Sequence, residues 1–244
     1  MKYQYALVSD VGRRRQQNQD NGAAVPDLGL FLVADGMGGH QGGETASAMA
    51  ADLIPAHLAS HMNSETAPKQ LITKAIESAS RTIFELAAHT ASLHGMGTTT
   101  TALLFHSQKL WIGHVGDSRC YFVRPDAIWQ LTQDHSLVAE RVRAGLLSRE
   151  QATTFAQKNV ITRSVGFEEN VKVDTYEMEP QEGDLFMICS DGLTGHVSDR
   201  EILEIIKRHC FDDGEMKAGA EALINRANER GGEDNITALI VQLV

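Results

Sequence analysis

The stretch Leu30-Phe31-Leu32-Val33-Ala34-Asp35-Gly36-Met37-Gly38-Gly39-His40-Gln41-Gly42-Gly43 joins an apolar run of strand length to a carboxylate and then to five glycines. A strand fixes a direction, and a glycine directly after it lets the backbone come close to a ligand. The same form recurs at Asp191-Gly192, after the run Leu185 to Ser190. Asp117 follows Trp111 to Gly116, with its glycine before it, and Asp234 precedes the run that starts at Ile236. Asp10 and Asp20 bracket Gly12-Arg13-Arg14-Arg15-Gln16-Gln17-Asn18. Any one Asp-Gly pair is also a plain turn signal. The glycines after Asp35 are not a nucleotide-binding loop, because no Lys-Ser or Lys-Thr follows them. Several carboxylates at strand ends, without a Cys or His cluster, point instead to hard, oxygen-ligated cations such as Mg²⁺ or Mn²⁺. Such a group of aspartates repels itself unless a cation sits among them.

Working outward, strand-like runs cover Tyr3 to Ser9, Leu28 to Ala34, Thr98 to Phe105, Leu110 to Val115, Arg119 to Val123, Ala127 to Leu131, the alternation Val171, Val173, Thr175, then Asp184 to Cys189 and Ile236 to Val244. That makes about nine strands, mostly joined by short turns, with hairpins expected across His106–Lys109 and Arg124–Asp126. Ala46, Met49, Ala50, Leu53 and Ile54 form one helical face, with Pro55 expected to end or bend the helix. A second helix follows Pro68, and a short one lies within His135 to Gly145. Ser198 and Glu201 form a capping box for a further helix. Ala220, Leu223, Ile224 and Ala227 mark the last, stopped by Gly231-Gly232. Helices grouped after the first strands and again late, around a run of antiparallel-looking strands, do not form a βαβ repeat. The order predicts an α+β fold of stacked sheets with helices outside. Residues 145–166 are the poorest in regular pattern and are expected to form a flap.

The chain has 244 residues, 42% apolar and 22% charged, the make-up of a globular protein. With 22 Lys and Arg against 32 Asp and Glu, its formal charge is −10, which argues against nonspecific nucleic-acid or anionic-lipid binding. No signal peptide or bilayer-length apolar run is visible, so a cytoplasmic protein with no membrane partner is expected. The three cysteines, Cys120, Cys189 and Cys210, are too few and too scattered for a disulfide framework.

The ordered set of motifs resembles the metal-dependent protein phosphatases of type 2C, in their compact bacterial form. The resemblance rests on Ser9-Asp10-Val11-Gly12 with Arg15, Asn18-Gln19-Asp20, Asp35 to His40, Gly43-Glu44 with Ala46-Ser47, and Gly95-Met96-Gly97-Thr98-Thr99. It continues through Gly116-Asp117-Ser118-Arg119, Leu131-Thr132, Asp134-His135-Ser136, Gly145, Asn159 to Arg163, Ser190-Asp191-Gly192-Leu193 and Asp234-Asn235. It implies a four-layer α/β/β/α sandwich, two stacked antiparallel β-sheets flanked by helix pairs. It also implies one catalytic domain over residues 1–244, with metals in the cleft between the sheets. By the same resemblance Asp35 bridges two metals and the Gly36 carbonyl holds the first. Asp191 and Asp234 hold the second, and Asp117, with Asp191, a third and weaker one. Arg15 holds the substrate phosphate, and Asp20, Gln19 and Asn235 are supporting positions. Many relatives have Glu where this chain has Gln19, which can hydrogen-bond a water but brings no charge.

The implied reaction is hydrolysis of phosphoserine or phosphothreonine in proteins by a water bridging two Mn²⁺ or Mg²⁺ ions. A cognate Ser/Thr kinase and its substrates are the implied partners; since nothing in the sequence exposes an oligomer interface, a monomer is expected. His40 is a candidate proton donor, set against a plain loop histidine. The alternative is a non-catalytic phosphoprotein-binding or regulatory module on the same fold. Retention of Asp35, Asp117, Asp191 and Asp234 weighs against it.

Overall fold

In Leu30–Met37 alternate side chains leave on opposite faces, as the twofold period of a strand requires. Leu30, Leu32 and Ala34 enter one apolar cluster and Phe31 and Val33 another. All five are fully buried, so this strand lies between two packed layers. The computed structural model describes every residue except Asn63, Ser64, Thr154, Ala156, Lys158 and Asn159, and the side chains of His40, Gln41, Arg149 and Thr153 are likewise outside it.

The described chain runs β1 (Tyr3–Asp10), β2 (Asp20–Val25), a 3₁₀ turn, β3 (Leu30–Met37), α1 (Gly39–His61) and α2 (Pro68–His89). A second 3₁₀ turn leads to β4 (Gly97–Thr98), β5 (Thr100–His106), β6 (Lys109–Val115), β7 (Arg119–Arg124) and β8 (Ala127–Gln130). Then come α3 (Leu137–Arg143), α4 (Arg149–Thr153), β9 (Asp174–Met178), β10 (Leu185–Cys189) and α5 (Asp191–Thr194). The chain ends with α6 (Asp199–Ile206), a π-helical turn at Lys207–Asp212, α7 (Met216–Glu229) and β11 (Ile236–Leu243).

One sheet has the order β1-β11-β10-β7-β8 and the other β2-β3-β5-β6-β9, with β4 on the end of β3. Every described pairing between these strands is antiparallel. The layer between the sheets is Phe31, Val33, Leu103 and Phe105 against Phe186, Ile188, Leu239 and Val241. Phe105 meets Phe186 edge to face at 5.8 Å, a favoured aromatic geometry. Helices α1 and α2 cover the outside of the second sheet through Ala46, Ala50, Ile54, Ile72, Ile76 and Ile83. Helices α6 and α7 cover the first through Ile202, Ile206, Ala220, Leu223 and Ala227. The α/β/β/α sandwich is thus what the element order and the resemblance lead one to expect.

Four details differ from the sequence reading. The described strands number eleven rather than nine. β2 was not foreseen; its Asp-Asn-Gly-Ala-Ala-Val is poor in β-formers and is held by pairing with β3 along six residues. β9 starts at Asp174, later than the alternation suggests, because Val171 and Val173 pack into the helix-side core and join no ladder. Helix α1 does not end at Pro55 but continues to His61. The capping box is present, with the Ser198 amide and hydroxyl both donating to Glu201 Oε2 at 3.3 and 2.8 Å. Cys120, Cys189 and Cys210 are all free and buried.

Candidate active site

The carboxylates converge where the two sheets meet edge on. In the second sheet Asp20 and Asp35 are direct partners across the β2–β3 ladder. In the first, Asp191 leaves the end of β10 as the first residue of α5, and Asp234 stands just ahead of β11. A cleft of about 880 Å³ opens there, lined by Arg14, Arg15, Gln19, Asp35, Gly36, Asp191 and Asp234 among others. Asp117 is buried in the turn between β6 and β7.

The local sequence explains this placement. A Cβ on Gly36 would collide with the Gly43 and Gln19 carbonyls, so only glycine lets β3 pass beneath the start of α1. Gly192 is pressed in the same way against the Asn235 carbonyl, which brings Asp191 up to Asp234. Asn235 is the knot of the cleft. Its Oδ1 accepts the Gln19 amide at 2.9 Å, and its Nδ2 donates to the Val11 and Gln17 carbonyls, both at 2.9 Å. The Arg-rich loop is thereby fastened to the entry of β11. Ser190 Oγ donates to Asp20 Oδ2 at 2.7 Å and accepts the Thr237 amide at 2.9 Å, joining the two sheets. Beneath Asp35, Thr99 Oγ1 accepts its amide at 2.9 Å, while the Thr99 amide and Thr98 Oγ1 donate to its carbonyl at 2.8 and 2.9 Å.

The electrostatics are those of a self-repelling group. Burial, and then the charges of Asp20, Asp191, Asp117 and Asp234, push the Asp35 carboxyl well above the usual carboxylate range. Asp117 is pushed up to about 8 by burial and then by Asp191 and Asp134. Asp20 is pushed up to about 6 by burial, opposed by the Ser190 and Thr237 hydroxyls. Asp191 is raised by burial and by Asp234, and a hydrogen bond with Asp35 works against the rise. Arg15 Nη2 meets Asp234 Oδ2 at 2.7 Å, with 49% of the Arg15 side chain exposed.

This donor set fits a hard divalent cation. The buried Oδ1 atoms of Asp20 and Asp117 have no hydrogen-bond partner among the described residues. The surrounding donors are carboxylate and carbonyl oxygens, the ligands Mg²⁺ and Mn²⁺ prefer. Among the described residues no three acidic, His or Cys side chains are grouped closely enough to hold a metal ion by themselves.

The structure brings Arg15, Gln19, Asp35, Gly36, Asp191 and Asp234 to one cleft, with Asp20, Asn235 and Asp117 packed behind or beside it. The side chain of His40 lies outside the described residues, as does Asn159. Of residues 145–166, those described include α4 and the cleft-lining Ile161, which is bridged to Ser136; Val165 is bridged to Thr98. Sequence reasoning gave no role to Thr98, Thr99, Ser118 or Ser190. All four stand in the motifs that carry the resemblance, beside Gly97, Asp117 and Asp191.

These features define a class, the protein phosphatases, and comparison with known proteins agrees. The chain belongs to the protein phosphatase 2C family, whose profile matches residues 12–236. It is 38% identical over 239 residues to a serine/threonine phosphatase of Listeria innocua, covering 96% of this chain and 93% of that one. The solved serine/threonine phosphatase of S. agalactiae superposes with a TM-score of 0.90 at 36% identity, covering 100% of both chains. The catalytic domain of the serine/threonine protein phosphatase PstP, solved with 2 manganese ions, superposes with a TM-score of 0.85 at 33% identity over 99% of this chain and 98% of that one. Among the described residues no helix is long and apolar enough to cross a membrane.

Proposed function

We propose that this chain removes phosphate from Ser and Thr side chains of proteins as one catalytic domain over residues 1–244, with residues 145–166 as its flap. The observation that carries the reading is the convergence of Asp35 from one sheet with Asp191 and Asp234 from the other, in a cleft that also holds Arg15. Asp35, the Gly36 carbonyl, Asp191 and Asp234 would hold two Mn²⁺ or Mg²⁺ ions, and Asp117 with Asp191 a third. The two manganese ions of the PstP domain support that number for the core pair. When bound, such ions supply Lewis acidity and a water acidic enough to act near neutral pH.

The chain's own residues do the rest. Asp35 would position the ions, with water as the attacking group, and its backbone is held in place by Thr98 and Thr99. Arg15 is half exposed and reaches the cleft from a loop anchored by Asn235 and by the Arg13 amide on the Gly232 carbonyl at 2.7 Å. Its guanidinium can leave Asp234 and donate two parallel, charge-assisted hydrogen bonds to phosphoryl oxygens. That orients the phosphate and offsets its charge as the transition state forms. Gln19 contributes an amide at the cleft wall and no charge, which leaves the metal site one negative charge short of relatives with Glu. The substrates are phosphoserine and phosphothreonine proteins made by a Ser/Thr kinase, which is the natural opposing partner.

The test is hydrolysis of a phosphothreonine peptide with Mn²⁺, with Mg²⁺ and with excess chelator, beside Asp191→Asn. Activity that needs added metal and is lost in the variant is expected. A folded wild-type chain inactive with both metals would overturn the reading and return weight to a binding module.

A further inference from the structure

Behind the cleft lies a chain of contacts that the reaction scheme above does not use. The imidazole of His135 is buried at the turn between β6 and β7. Its Nδ1 accepts the Gly116 amide at 3.0 Å, and the Gly116 carbonyl accepts the His135 amide at 2.8 Å, so residue and turn are bonded in both directions. An amide can only donate, so Nδ1 carries the lone pair and Nε2 the proton. Nε2 lies 3.1 Å from Asp174 Oδ2, to which it donates, and 3.0 Å from Arg163 Nη1, which bonds the same carboxylate. Asp174 Oδ1 accepts Arg163 Nη1 at 2.7 Å. Arg163 is two residues beyond Ile161, which lines the cleft, and the amide between them, Thr162, donates to the His135 carbonyl at 2.8 Å. The ring of His114 packs against His135 at 4.7 Å between centroids and is itself held by Thr101 at 2.9 Å. The imidazole is therefore fixed in tautomer, in tilt and in position.

We infer that His135 is a positioning residue for Asp117: its Nδ1 holds the Gly116–Asp117 turn from behind, and the ring is set for that by Asp174 and His114. Gly116 immediately precedes Asp117, whose buried Oδ1 has no hydrogen-bond partner among the described residues. Nothing else described bonds that oxygen, so its aim is set by the turn that carries it. The inference rests on the proposed role of Asp117 as a ligand of the third ion. An oriented ligand whose support is removed typically loses about 10- to 100-fold in metal affinity or activity.

Two amide substitutions separate the two ends of the ring. In His135→Asn the side-chain oxygen can stand near Nδ1 and still accept the Gly116 amide, while the link to Asp174 is cut. In His135→Gln the terminal amide stands near Nε2, and the acceptor for Gly116 is lost. Mn²⁺ binding by titration calorimetry, and the Mn²⁺ concentration needed for half-maximal phosphopeptide hydrolysis, are measured for both beside wild type and Asp117→Asn. The expected result is a rise of about tenfold or more in the Mn²⁺ requirement of the weakest site for His135→Gln, with the peptide KM little changed and His135→Asn close to wild type. Equal losses in both variants, or none in His135→Gln, would overturn the inference. Should His135→Gln fail to fold, a ¹H–¹⁵N spectrum of the wild-type imidazole decides: Nδ1 without a proton is required, and the opposite tautomer would refute it. A wild type that binds Mn²⁺ and is active while His135→Gln matches it sinks this inference alone. A wild type inactive with every metal sinks the phosphatase reading instead, and the spectrum still tests the His135 geometry.

Discussion

Two acidic regions of this molecule, close together in the fold, handle their charge in opposite ways. Around Asp134 every charge is matched. Arg119 forks onto that carboxylate, with Nε at 3.1 Å from both oxygens and Nη2 at 2.7 Å from Oδ2, and Gln130 adds a third donor at 2.8 Å. Burial alone would lower the Arg119 pKa, but the Asp134 charge outweighs it and holds the guanidinium firmly protonated. In the cleft, Asp20, Asp35, Asp117 and Asp191 all have raised pKa values, and the arginine at hand is the half-exposed Arg15 on Asp234. The first region spends its cation on holding the segment between β8 and α3 against β7. The second leaves its anions facing one another, a destabilising arrangement that a divalent cation relieves. A carboxylate's role here is decided by who neutralises it.

The contrast can be broken most forcefully at Asp35. Asp35→Asn should cut Mn²⁺-supported kcat/KM by at least about a hundredfold, more than loss of an outer support usually does. Its melting temperature in chelator should hold or rise, because an amide cannot take on the charge that burial and the neighbouring carboxylates resist. A variant less stable than wild type in chelator would contradict the picture of a strained acidic group. The mirror experiment is Arg119→Ala. It strands Asp134, whose side chain is only 13% exposed, and should lower unfolding free energy by about 2–3 kcal/mol in a denaturant titration, somewhat below the range for a fully buried pair.

Next in size is Arg15→Lys, which keeps the charge and loses the fork. Loss of one charge-assisted hydrogen bond to phosphate corresponds to about a tenfold rise in KM for phosphopeptide, seen in steady-state kinetics at saturating Mn²⁺. The pH response of the metal-free chain is a further test. Asp20 near 6 and Asp117 near 8 keep protons that the unfolded chain, at the ordinary 3.8, has released. The native state thus binds more protons between pH 4 and 8, roughly, and stability in chelator should fall as pH rises through that window. Calorimetry at pH 5 and pH 8 should show a lower melting temperature at pH 8. Added Mn²⁺ should reverse the trend, because its ligands must be deprotonated. Smallest of all is Gln19→Glu. One more charge at the cleft wall, largely screened by solvent, should tighten Mn²⁺ binding by no more than about threefold, read by calorimetry.

Much of this arrangement was legible in the residues. Strand-to-aspartate junctions at Asp35 and Asp191 stand out because an apolar run and a glycine are local signals, and local signals survive folding. The hairpins β5–β6 and β7–β8 and the capping box at Ser198 are visible for the same reason. β2 was not, since its residues carry no β preference and it exists by pairing with β3. The Val171 and Val173 alternation misled because those valines fill the helix-side core rather than a ladder. Asn235 was marked as a supporting position, but its hold on Val11 and Gln17, 224 and 218 residues away, depends on partners that no short window contains. The His135–Asp174–Arg163 chain was hidden likewise, because its members come from three segments and meet only once β6 and β9 pair.

Strand β11 is central in its sheet, between β1 and β10, and it follows directly on Asp234 and Asn235. Its partner β1 lies at the far end of the chain, with Tyr3 opposite Leu243. As the ribosome delivers this polypeptide, Asp35 and its helices emerge early and can begin to pack. The first sheet, however, cannot join β1 to β10 until β11 is inserted between them. The knot that fastens the Arg15 loop cannot be tied before then either, because Asn235 supplies it. A nascent chain therefore has no assembled cleft until Asp234, Asn235 and β11 have emerged.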